Sequence, residues 1–174
     1  MIQRLEPGSG QASVWDYPRP PRLEVCDRPI EIVFNGVTIA ATQRSQRVLE
    51  TTHPPVYYIP PEDIQMQYLV PTSRRSFCEW KGVANYYRLA VGDASGLGKG
   101  DRQLDDIAWF YPEPTEAFAA LRNHVAFYAR PMDRCTVGGE RVIPQPGNFY
   151  GGWITSDIVG PFKSGPGLYE SVVE

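Results

Sequence analysis

Proline and glycine cut this chain into short pieces. Seventeen prolines and 16 glycines are spread through 174 residues, with no low-complexity tract and no internal repeat. The runs between them are rich in Val, Ile, Tyr, Phe and Trp, residues that favour a pleated and half-buried backbone. Short β-rich runs bounded by turn residues predict a mainly β protein of antiparallel strands. The clearest local signal is "PIEIVFNGVTIAAT", residues 29–42. Ile30, Ile32 and Phe34 alternate with Glu31 and Val33, and Asn35-Gly36 supplies the two left-handed positions of a tight hairpin turn. "CTVGGERVIP" predicts a second hairpin, turning at Gly138-Gly139.

Other runs read the same way. "RVLETTHPPVYYIP" gives two short strands with a kink at Pro54-Pro55, which belongs at an edge or corner because proline donates no ladder bond. "PPEDIQMQYL" suits one helical turn. "SFCEWKGVANYYRLAV" reads as two strands around Gly82, and "LDDIAWFYPEP" as another. Adjacent aromatics such as Tyr57-Tyr58 must point to opposite faces. One short α-helix is expected around 115–123, with Phe118, Leu121 and Val125 on one face and Thr115 as its cap. "GDASGLGKGDRQ", 92–103, looks faintly like a phosphate loop, but Asp93 and Gly100 stand where that motif needs glycine and Ser/Thr, so it reads as a linker. In "FYGGWIT" a double glycine predicts a bulge or a close approach of backbone. The expected organisation is a lead-in over 1–14, one domain over 15–167 and a tail over 168–174.

Charge and cysteine usage exclude several classes. The formal net charge is −3 with both signs mixed along the chain, so no basic stripe for nucleic acid is expected. No apolar run approaches the length of a membrane span, and "MIQRLEPGSGQ" has no signal-peptide core, so the expectation is a cytoplasmic protein. Cys26, Cys78 and Cys135 are scattered and form no C-x-x-C, so neither disulfide nor structural zinc is expected. His53 and His124 have no ligand-like spacing.

The run "SRRSFCEWKG", 73–82, holds the main candidate site. As a continuous strand it places Arg75, Phe77, Glu79 and Lys81 on one face and Ser76, Cys78 and Trp80 on the other. The charged face is either an exposed ion ladder or the lining of a hollow in which Arg75 and Lys81 hold an anion and Glu79 orients them or accepts a proton.

"SRRSFCEWKG" followed by "YY", "LETTHPPVYYIP", "AWFYPEPTEAFAALRNHVAFY" and "PQPGNFYGGWIT" with "GPFK" after it together resemble the family called domain of unknown function 427, also labelled a nucleotidyltransferase domain. The resemblance runs over about 15–167. It implies a β-tent fold of antiparallel strands, similar to small zinc-binding and methionine-sulfoxide-reducing domains. Paired C-x-x-C motifs that hold zinc in such relatives are absent here. The magnesium-holding carboxylates of nucleotidyl transfer have as their nearest counterpart Asp105-Asp106, which as strand neighbours should face opposite ways.

The reading reached from the residues and the resemblance is a small β domain with a pocket on a concave sheet face. Arg75, Glu79 and Lys81 are its polar residues, Tyr87, Trp109 and Tyr128 its walls, and His53 lies nearby. Its ligand is expected to be small, polar and anionic, with no cofactor named and the protein a monomer or weak homodimer. Two alternatives stand beside it. One is a protein-interaction module using the proline-rich arm "VWDYPRPPRLE" and an exposed sheet edge, and the other is a hydrolase or transferase with Glu79 as general base.

Overall fold

The computed structural model describes residues 3–92 and 100–165. The faint phosphate-loop residues 93–99 and the tail lie outside the described residues. In chain order the strands are β1 (Ala12–Ser13), β2 (Arg22–Cys26), β3 (Ile30–Phe34), β4 (Val37–Thr42), β5 (Ser45–Leu49), β6 (Val56–Tyr58), β7 (Leu69–Cys78), β8 (Gly82–Val91), β9 (Arg102–Phe110), β10 (Val125–Phe127), β11 (Arg134–Val137), β12 (Glu140–Arg141), β13 (Ile143–Pro144), β14 (Trp153–Ile154) and β15 (Ile158–Val159).

Three sheets carry the architecture: β2-β5-β6, β10-β9-β8-β7 and β12-β11-β3-β4, with every pairing inside them antiparallel. The first two join edge to edge, because Ile59 and Val125 exchange backbone hydrogen bonds of 2.8 and 2.9 Å just beyond β6 and at the start of β10. The short pairs β1-β15 (parallel) and β13-β14 tie the N-terminal segment and the C-terminal segment onto this frame. Among the described residues no helix is long and apolar enough to cross a membrane.

Both hairpins turn where the local residues demand it. Asn35 and Gly36 take φ of 49° and 77° between β3 and β4, and Gly138 and Gly139 take 58° and 81° between β11 and β12. Strand alternation then sorts the aromatics. Tyr57, Tyr87 and Phe110 fall in a core cluster with Ile32, Phe34, Ile59, Phe127 and Trp153. Their neighbours Tyr58, Tyr86, Trp109 and Tyr111 fall in a second cluster with Phe118, Leu121 and Ala126 on the opposite face. That second face carries the cleft described below.

The helix expected over 115–123 is instead a kinked 3-10 segment, Glu116–Leu121, broken at Phe118 (φ −115°, ψ 21°). Phe118 and Leu121 are both buried. A 3-10 turn stacks residues three apart on one side, so it meets the same burial pattern as an α-helical turn with fewer residues. Thr115 does not cap it; its hydroxyl donates to the Trp80 carbonyl at 2.5 Å, and its backbone N–H donates to the Lys81 carbonyl. The 60–69 stretch likewise forms two 3-10 turns, Pro61–Asp63 and Met66–Tyr68.

Candidate functional site

A cleft of about 390 Å³ opens on the second-cluster face. One side is built from β5 and β6 (Val48, Val56, Tyr58) with Glu50, His53 and Pro54 between them, and the other from the β7–β8 hairpin, Ser76 to Lys81. Tyr86, Trp109 and Tyr111 form the floor from β8, β9 and the residue after it. Tyr128, Gln145, Phe149, Tyr150, Gly151 and Lys163 close it from the C-terminal half, and Arg19 reaches in from the proline-rich segment.

Lys81 points into this cleft because β7 ends at Cys78 and residues 79–81 are a turn. Gly82 makes the turn possible. Its φ is 104°, and a Cβ there would stand 3.3 Å from the Glu113 carbonyl oxygen. Thr115 then pins the turn through the two bonds already described. Strand parity does not survive such a turn, so the alternation expected through 75–81 fails. Arg75 lies outside the cleft; it is exposed, and its guanidinium donates to the carbonyls of Thr72 and Arg74 at 2.9 and 2.8 Å. Ser76, Cys78 and Trp80, placed by that alternation on the face away from Lys81, line the cleft as well, and Glu79 stands exposed at its rim. Tyr87 is also outside. Tyr86, not Tyr87, is the cross-strand partner of Trp109, and Tyr87 stacks on Phe110 at 4.5 Å in the main core. His53, Glu79, Lys81, Trp109 and Tyr128 are thus brought together, and Arg75 and Tyr87 are not.

The cleft interior is ordered by one buried glutamine. Gln145 donates from Nε2 to the Lys163 carbonyl (3.2 Å) and to His53 Nδ1 (3.3 Å), while its Oε1 accepts from the Gly152 N–H (3.0 Å). With Nδ1 accepting, the His53 proton sits on Nε2, which faces Glu50 Oε2 at 3.6 Å. Glu50 also receives Arg19 at 3.0 Å. Burial, together with the nearby charges of Lys163, Arg19 and Lys81, drives the His53 pKa down to about 3. The imidazole is therefore a neutral structural group that adds no charge to the cleft. For Lys81, burial works against the charged form, but Tyr58, Cys78 and Glu50 outweigh it and its pKa stands above the ordinary lysine value. Burial raises the pKa of Tyr58 and Tyr111, so both remain neutral phenols.

The walls are aromatic. Trp109 and Tyr128 have ring centroids 4.7 Å apart, Tyr150 meets His53 edge-on at 4.7 Å, and Trp109 Nε1 donates to Tyr58 Oη at 3.3 Å. The Lys81 Nζ lies 5.7 Å from the Tyr111 ring centre and the Lys163 Nζ 4.9 Å from that of Tyr150. Gly151 sits flat on the indole; a Cβ there would be 2.2 Å from Trp109 Cη2. This is the close backbone approach that the double glycine predicts.

Two further expectations meet the structure here. The proline-rich arm at 14–24 packs on the domain: Val14 is buried and Trp15 Nε1 donates to the Pro161 carbonyl at 2.9 Å. Asp105 and Asp106 do not face opposite ways. Asp106 takes φ 58° in a bulged stretch where the β8–β9 register shifts, so both border one surface hollow with Arg74. Each carboxylate already has a partner, Arg88 for Asp105 and the Thr72 hydroxyl for Asp106. Among the described residues no three His, Cys, Asp or Glu side chains are placed to share a metal ion.

Residues 22–138 match the family model described as Domain of unknown function (DUF427), and the chain belongs to that family. Comparison with curated proteins found no match. The matched span holds Glu50, His53, the β7–β8 hairpin, Trp109 and Tyr128, while Arg19, Gln145, Gly151 and Lys163 complete the cleft from outside it.

Proposed function

We propose that the cleft binds a small polar anion, with Lys81 and Lys163 supplying positive charge and the buried tyrosines supplying neutral hydroxyl groups. The observation that carries this reading is that neither ammonium forms an ion pair among the described residues, although both border the cleft and sit half-buried over aromatic rings. An ammonium partly removed from water and without a direct ion pair gains a charge-assisted contact when an anion arrives. Arg19, by contrast, is already neutralised by Glu50. Glu79 stands exposed to water at the rim, where its charge is screened and takes no part in holding the anion.

The test is a thermal-shift and calorimetric series at low salt with inorganic phosphate, sulfate, acetate and benzoate, and choline as a cationic control. At least one anion is expected to bind the wild-type protein and choline is not. A charge-assisted contact contributes about 1.5–3 kcal/mol, so Lys81→Met and Lys163→Met should each weaken that anion roughly ten- to a hundredfold, with an unchanged circular dichroism spectrum. Equal anion affinity in the wild type and the double variant would refute the reading.

A further inference from the structure

We infer that the ligand of this cleft is a dianion carried on an aromatic body, with the charged end between Lys81 and Lys163 and the ring held at the mouth by Phe77 and Phe149. The inference rests on the anion-binding reading above and adds to it the charge and the shape of the ligand.

The charge follows from what is left uncompensated inside. Among the described residues three cations line the cleft, Arg19, Lys81 and Lys163. Glu50 takes Arg19 at 3.0 Å, and the imidazole of His53 sits between Gln145 and Glu50 as a neutral donor–acceptor. Two ammonium groups remain, and the remaining carboxylate, Glu79, is exposed to water at the rim. A single negative charge would leave one ammonium uncompensated in a partly desolvated site, which two charges on one head group avoid.

The shape follows from the mouth. Among the described residues the exposed large hydrophobic side chains are Leu5, Val25, Val70, Phe77, Val83, Ile143 and Phe149. Two of these are aromatic, Phe77 at 76% exposure and Phe149 at 56%, and both line this cleft, on opposite sides of it in the chain. Phe77 comes from the β7 end of the hairpin, and Phe149, whose carbonyl accepts from the Tyr128 hydroxyl at 2.7 Å, comes from the segment before Gly151. Exposed rings at the rim of a cleft with aromatic walls gain by covering a flat apolar group. The volume of about 390 Å³ suits a small ring with one head group. A phosphate monoester and a dicarboxylate share this chemistry.

The test uses the full-length protein and four probes by titration calorimetry: phenyl phosphate, phthalate, benzoate and inorganic phosphate, at a pH where the phosphate monoester is doubly ionised. Phenyl phosphate or phthalate should bind at least about tenfold more tightly than benzoate, because only the dianions meet both ammonium groups. Whichever of the two is preferred names the head group. In the Phe77→Ala/Phe149→Ala variant the aromatic dianion should weaken severalfold while inorganic phosphate is unchanged. Both residues are exposed, so a folding defect is not expected, and the inorganic phosphate titration checks that the lysine site is intact. Benzoate binding as tightly as the dianions would overturn the charge assignment while leaving an anion site in place. An aromatic dianion indifferent to the phenylalanine variant would overturn the shape assignment. Failure of all four probes would overturn the inference together with the anion-binding reading beneath it.

Discussion

Replacing His53 should change how the protein responds to acid. Its imidazole is buried behind Gln145 and Glu50, and burial plus three neighbouring cations hold its pKa near 3 in the folded protein against an ordinary value of 6.5. The unfolded chain therefore binds a proton at this residue between those pH values and the folded protein does not. Stability contributed this way is complete above about pH 6.5 and declines as the pH falls towards 3. One proton taken up on unfolding corresponds to about 1.4 kcal/mol per pH unit, so two pH units below the ordinary histidine value the loss is on the order of 2–3 kcal/mol. Against a typical total of about 5–15 kcal/mol this is easily measured. Asp63, held down to about 2 by Arg44 and Thr42, loses its contribution only at lower pH, below the ordinary 3.8, so the interval from 4.5 to 6.5 isolates His53. Urea unfolding followed by tryptophan fluorescence at pH 4.5, 5.5 and 6.5 should give a sloping stability in the wild type. His53→Gln can still accept from Gln145 and donate to Glu50 but cannot titrate, so its stability should be nearly flat over the same interval. Identical slopes in the two proteins would refute the assignment of His53 as a buried neutral group.

Three further outcomes follow from packing. Gly82→Ala forces a side chain onto a φ of 104° and against the Glu113 carbonyl, and should cost about 1–3 kcal/mol in urea unfolding while also weakening anion binding through Lys81. Gly151→Ala, at a backbone conformation that alanine tolerates, pushes a methyl into the Trp109 indole; a loss of about 1–3 kcal/mol with a shifted tryptophan emission is expected. Leu121→Ala empties a fully buried site at the end of the 3-10 segment, in the cluster that backs the cleft, and should cost about 2–5 kcal/mol in the same assay.

Local features of the fold were legible in the sequence because their causes are local. Asn35-Gly36 and Gly138-Gly139 can hardly be anything but hairpin turns, and the antiparallel β class follows from runs between them. The 115–123 helix misleads because burial of Phe118 and Leu121 at a spacing of three satisfies either helix type, and only the connection to the β7–β8 turn decides. Part of the cleft was legible too: Glu79, Lys81, Trp109, Tyr128 and His53 are brought to it. Arg75 and Tyr87 required knowledge of where β7 ends and how β8 registers on β9, which alternation alone does not carry. Glu50, Gln145 and Lys163 sit in motifs that carry the family resemblance, and Arg19 in the proline-rich arm, but nothing in one dimension says that they converge on His53. They meet His53 from segments separated by up to some hundred residues, and their hydrogen bonds exist only once the sheets have joined. The double glycine at 151–152 gave a physical signal from that distant half, since a close approach needs a partner to approach.

The most direct test of the central claim is a crystal of the full-length protein soaked with 4-bromophenyl phosphate and measured at the bromine absorption edge. The account predicts an anomalous peak at the cleft mouth between Phe77 and Phe149, with phosphate density in contact with both the Lys81 and Lys163 ammonium groups. A peak elsewhere on the surface, or phosphate density touching neither lysine, would contradict it.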